Sequence, residues 1–167
     1  MIICIHDNQQ VISCQNEGKI LSQYHHNPLV QTFFQLAKDF PDRLLIWSHQ
    51  DYQHVINHKA LHHIFHHQRI MASYALAQYL PKAIGYIEQD PFINVNHKVK
   101  YPTWRMHQDI GGINTAVINT LKPYLPQSDN LDYVLHSIAK LGQQKGLLCY
   151  SHPDLLKTEF PLKTIQK

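Results

Sequence analysis

Apolar residues in this chain fall into short blocks separated by polar ones, and the spacing inside the blocks changes along the sequence. Residues 1–5 are a nearly continuous apolar run and residues 10–15 form a second short run. With polar residues 6–9 between them, they predict a β-hairpin. Glu17-Gly18-Lys19 predicts another turn. After Pro28, the residues Leu29, Phe33, Leu36, Ala37 and Phe40 recur at spacings of three and four, one buried face of a helix that Pro41 stops. Leu44-Leu45-Ile46-Trp47 is too short for a helix and predicts a buried strand. Over residues 57–79, Leu61, Ile64, Phe65, Ala72, Ala75, Leu76 and Tyr79 predict a long helix ended by Pro81, with room for a break near Arg69.

Residues 83–88 predict a short strand in which Gly85 permits close approach to the backbone, and residues 94–99 an extended piece of a polar loop. Pro102 makes the segment around Trp104 and Arg105 semi-rigid. Gly111-Gly112 opens a helical pattern through Ile113, Ala116, Val117, Thr120 and Leu121. Asp129 or Asn130 caps a helix over residues 131–141, and residues 147–150 predict the last strand. Alternating helices and strands indicate a single three-layer α/β domain over residues 1–158 with a mixed, mostly parallel sheet, and residues 159–167 form a tail or linker.

Composition narrows the partners. The chain has 167 residues, 44% of them hydrophobic, enough for a real core. No apolar stretch has membrane-spanning length and the start lacks a leader pattern, so a cytoplasmic location is expected. Cys4, Cys14 and Cys149 are an odd number in apolar, strand-like segments, which reads as buried free thiols in a reducing compartment. A formal charge of +3 from scattered basic residues offers no phosphate-tracking stripe, which argues against a nucleic-acid partner. The fourteen histidines make the charge strongly pH dependent near the ordinary imidazole pKa of about 6.5.

Several polar groups carry candidate chemistry. On a helix, His58, His62 and His66 would form one line and His63 and His67 a neighbouring pair, a spacing that suits a transition metal, a pH switch or a solvated face alike. Ser48-His49-Gln50-Asp51 follows a predicted strand, where open α/β sheets put their chemistry. Asp51 could ligate a divalent cation with His49 beside it, or cap the following turn. Arg105 could bind phosphate and Trp104 stack on a base or sugar, or Trp104 could pack on a turn made by Gly111-Gly112. Asp132 or Asp109 could act as a general base; Asp129 competes as a helix cap.

Taken in order, these segments resemble a shortened family 2 glycosyltransferase with the nucleotide-diphospho-sugar transferase fold. Leu44-Leu45-Ile46-Trp47-Ser48-His49-Gln50-Asp51 resembles the family's central strand and Asp-x-Asp motif, with His49 at the first aspartate position. Gly111-Gly112-Ile113-Asn114 resembles the approach to the acceptor-side helix. Asp129-Asn130-Leu131-Asp132 with Leu135-His136-Ser137-Ile138 resembles the acidic pair and the motif after it, and residues 141–153 resemble the glycine, strand and proline that follow.

The resemblance spans residues 44–153, and the chain before them is short for the family's nucleotide-binding first half. It implies transfer of a sugar from a nucleotide-diphospho-sugar to a carbohydrate acceptor hydroxyl. Asp51, Arg105 and Trp104 would hold the donor, Asp51 and His49 a Mn2+ or Mg2+ ion, and Asp132 or Asp109 would be the base. Trp47 and Trp104 could stack on sugars. A noncatalytic accessory domain acting with a parent chain or protein partner, and a histidine-based metal-binding domain, are the alternatives.

Overall fold

The computed structural model describes residues 1–76 and 99–157. The opening hairpin forms as expected: β1 (Ile2–His6) pairs antiparallel with β2 (Val11–Asn16). Asp7 Oδ1 closes the connection by accepting the N–H groups of Gln9 and Gln10 at 2.9 and 2.8 Å. A two-residue turn then leads into β3 (Lys19–Ile20). Its Glu17 and Gly18 sit at φ 50° and 82°, the geometry whose twist matches antiparallel strands.

Helix α1 (Leu29–Asp39) buries Leu29, Phe33, Leu36 and Ala37, the face predicted by their spacing. It carries the chain over to β4 (Leu44–His49), which lies parallel to β1. Short 3-10 turns at Gln50–Val55 and His58–Ala60 and the one-turn helix α2 (Leu61–Ile64) follow. Then come β5 (Ile70–Tyr74), β6 (Tyr101–Pro102), β7 (Ile110–Asn114), α3 (Thr115–Leu121), α4 (Leu131–Gln143) and β8 (Leu148–Ser151).

The eight strands of the described residues form one sheet in the order β3-β2-β1-β4-β7-β5-β8-β6. Only β1–β4 and β5–β8 pair in parallel; the other five pairings are antiparallel. The sheet is therefore mixed but mostly antiparallel, which corrects the mostly parallel one expected from helix–strand alternation. The cause is β7, which enters between β4 and β5 antiparallel to both.

Alternate residues of the central strands feed two cores. Ile2, Cys4, Leu45, Trp47, Met71, Ile113 and Cys149 pack with α1, α3 and α4. Ile3, Ile5, Ile46, Ala72, Tyr74 and Ile110 face the other way, against Val55, Ile56, Leu61, Ile64, Leu155 and Leu156. Among the described residues, α1, α3 and α4 cover one face, and the one-turn helix α2 with short turns the other. No helix among the described residues is long and apolar enough to cross a membrane.

Two element assignments also change. The helix expected over residues 57–79 stops at Ile64, and residues 70–74 are a fully buried strand. A strand with neighbours on both sides and both faces covered reads as a continuous apolar run, which periodicity alone cannot separate from a buried helix. Gly111-Gly112 is not a turn opening a helix but the middle of β7. A Cβ on Gly111 would lie 2.4 Å from Trp47 Cζ2 and 2.6 Å from the Ala72 carbonyl, and one on Gly112 2.6 Å from Ile46 Cδ1. The strand expected at 83–88, most of the extended piece at 94–99 and the tail at 159–167 lie outside the described residues.

Candidate functional site

The parallel pair β1–β4 brings His6 and His49 side by side at its carboxyl end, in register. Their rings meet edge to face with centroids 5.7 Å apart. His6 is fully buried. Its Nδ1 accepts the Asn8 N–H at 3.0 Å, so Nε2 carries the proton and donates to the Gln108 carbonyl at 2.7 Å. Burial pushes the His6 pKa down to about 4, further than the Gln108 carbonyl raises it, and nearby His49 lowers it too. His6 is thus neutral, and it clamps the end of β1 to the segment leading into β7.

His49 caps the turn that follows it: its Nδ1 accepts the Asp51 N–H at 3.0 Å. The Asp51 carboxylate lies 3.5 Å from the same nitrogen, with its side chain 71% exposed. An Nδ1 that accepts the amide has no proton to offer the carboxylate, so the cap, not an ion pair, is the principal interaction. The capping role foreseen for Asp51 belongs instead to His49. Tyr52 packs on the His49 ring at 5.6 Å. Its phenol pKa is raised by burial, and further by the nearby Asp109 and Asp51 carboxylates.

Two bonds bring the second half of the chain to this end of the strands, and a third extends the link to α4. The His49 N–H donates to the Asp109 carbonyl at 2.8 Å, the His6 ring bonds Gln108, and the Gln108 N–H donates to Asp132 Oδ1 at 2.7 Å. Asp109 is buried just before β7, whereas Asp132 is half-buried in the first turn of α4. The cap of α4 is Asn130, whose side chain accepts the Tyr133 N–H. The His107 ring meets that of His136 edge to face at 6.0 Å; burial lowers the His107 pKa, and the Asp132 charge opposes that shift.

Beyond His107 stands an aromatic and cationic group. Trp104 is 40% exposed. Arg105 Cζ and Lys140 Nζ lie 5.6 and 4.7 Å from its ring centroid, and the His136 ring meets it edge-on at 5.9 Å. Trp104 therefore sits on the surface beside α4 and does not pack on the glycine pair. His136 Nε2 is buried without a hydrogen-bond partner. Trp47 differs: it is buried in the core, its indole N–H donates to the His107 carbonyl at 2.9 Å, and it has no face for a sugar.

The histidine line does not form. His62 and His63 lie on α2, but His66 and His67 lie beyond its end. His66 Nδ1 bonds the His63 carbonyl, and His67 Nδ1 accepts the Arg69 N–H. His54, His58, His62, His63, His66 and His67 are all exposed. Among the described residues no group of three or more His, Cys, Asp or Glu side chains is arranged to hold a metal ion. His49 and Asp51 alone make an incomplete protein site; Mg2+, however, is commonly held by one or two carboxylates plus substrate phosphates.

Sequence reasoning picked out His49, Asp51, Arg105, Trp104, Asp109 and Asp132, and missed His6, Tyr52, His136 and Lys140. His6 was masked by its place at the start of a polar turn. Its signal was that it ends an apolar strand at the same point as His49. His136 and Lys140 are one helical turn apart on α4, the spacing that puts both beside Trp104. Compared with known protein families, curated proteins and solved structures, the chain matches none.

Proposed function

We propose that this protein transfers a sugar from a nucleotide-diphospho-sugar to an acceptor hydroxyl at the carboxyl end of β1 and β4. One observation carries the reading: residues distant in sequence, His49 at the end of β4 with Asp51 just after it, and Asp109 and Asp132 on either side of β7, are joined at one end of the β1–β4 pair by the hydrogen bonds of His49, His6 and Gln108. Asp51, exposed just past the end of β4, is the carboxylate for a Mn2+ or Mg2+ ion accompanying the donor diphosphate. When bound, that ion would neutralise charge on the departing phosphate.

Asp132 is the general base. The Gln108 N–H holds one of its oxygens, which fixes the carboxylate for proton transfer from the acceptor. Asp109, buried and bonded through its backbone to His49, is a positioning residue. Trp104 offers a ring for stacking, while Arg105 and Lys140 supply positive charge for phosphate. A cytoplasmic setting, where nucleotide-sugars are available, accords with three free cysteines.

The test is a binding screen of nucleotide-sugars with and without Mn2+ or Mg2+, followed by turnover assays. Binding should require the metal and drop at least tenfold in Asp51→Ala. Asp132→Asn should keep donor affinity and lose about a hundredfold or more in turnover, the usual scale of a general base. A folded protein that binds no nucleotide-sugar under any of these conditions sinks the reading and leaves a noncatalytic interaction domain.

A further inference from the structure

We infer that Cys4 and Cys14 form a reversible cross-strand disulfide, an oxidation site inside the sheet that ties β1 to β2. It does not depend on the sugar-transfer reading. The two cysteines are direct partners in the antiparallel register, clear of the irregularity at Ile5/His6. The Cys14 N–H donates to His25 Nε2 at 3.2 Å and its carbonyl accepts the Leu21 N–H at 2.8 Å, so both main-chain groups point away from β1. Cys4 and Cys14 are therefore a non-hydrogen-bonded pair, for which Cα atoms lie about 4.5 Å apart, at the short end of the disulfide range.

Partners in register share a face, and both side chains enter the same core. Both are free thiols. The interaction with Cys14, and then burial, raises the Cys4 pKa, whereas the interaction with Cys4 lowers that of Cys14. Cys149 is separate, on β8, four strands from β1, and burial pushes its pKa up to about 11.

The chemistry is thiol–disulfide exchange with a small disulfide such as oxidised glutathione. The Cys14 thiolate attacks one glutathione sulfur, the glutathione S–S bond breaks, and the expelled thiolate takes up the proton Cys14 released. Cys4 then attacks the Cys14 sulfur of the mixed disulfide and expels the second glutathione, which takes up the Cys4 proton. Two protein thiols are oxidised and one disulfide becomes two thiols. Burial makes the native thiols slow to react, so exchange follows local opening at the β3 end of the sheet, where the outermost strand has two residues. A disulfide of this kind in a reducing compartment is transient and redox-sensing.

The full chain is refolded from urea in a glutathione redox buffer, so that burial is no barrier, then acid-quenched, alkylated and cleaved before aspartate. Cleavage before Asp7 leaves Cys4 in residues 1–6 and Cys14 in residues 7–38. The expected product is these two peptides joined by a bond that dithiothreitol breaks, an intact mass lower by two hydrogen atoms, and an alkylated Cys149. Cys149→Ser keeps the link, and the oxidised protein unfolds at a higher urea concentration than the reduced one. Three alkylated cysteines, a glutathione adduct that never closes, or a link to Cys149 would each overturn the proposal.

Discussion

His6 ends an apolar strand, yet a buried imidazole is stable there because both ring nitrogens are bonded, one by the Asn8 N–H and the other to the Gln108 carbonyl. The same burial links its protonation to folding. In the unfolded chain its pKa returns to about 6.5, whereas in the fold it is about 4. Between these values the unfolded state binds a proton that the native state refuses. Stability is therefore intact above about pH 6.5 and is lost as pH falls toward 4, by roughly 3 kcal/mol from this group alone. His107 and His152, whose pKa values burial also lowers, act in the same direction. Urea unfolding at a series of pH values should give a smaller loss across this window in His6→Gln, which starts from a lower stability at neutral pH. An unchanged slope would mean that His6 is not the group responsible.

The element that most shapes the site is β7. Its two central glycines leave no side chain between β4 and β5, and the Trp47 ring fills the space over Gly111. Gly111→Ala would push a methyl into that ring and the Ala72 carbonyl, and should cost about 1–3 kcal/mol, as overpacking a core does. The loss would appear as a lower urea midpoint, and Trp47 fluorescence would report the displaced ring. Here the sequence misled in a specific way. A glycine pair suggests a turn when nothing says what lies above it, and only the pairing of residues 110–114 with two other strands shows that close packing, not chain reversal, requires the glycines. The helix α1 was legible because its apolar residues lie on one face; β5 was not, because a strand buried on both faces has no polar residues to set its period.

Across the whole molecule, the sheet order puts β4, β7 and β5 in the middle and the two-residue strands β3 and β6 at the edges. Backbone amides of β4 and β7 should therefore exchange with deuterium slowest, near the rate set by global unfolding, and those of β3 and β6 fastest. Protection of β3 equal to that of β4 would contradict this order. The sequence by itself determined the local elements with one-sided burial or distinctive turns: the opening hairpin, α1, β4, α4, and the polar residues that follow β4 and precede α4. Those features rest on interactions between near neighbours. The tertiary structure decided the antiparallel insertion of β7, the burial of Trp47, the exposure of Trp104, and the gathering of His6, His49, Asp109 and Asp132 at the carboxyl end of β1 and β4. These rest on strand pairing and hydrogen bonds between residues far apart in the chain, which periodicity along a single segment does not encode.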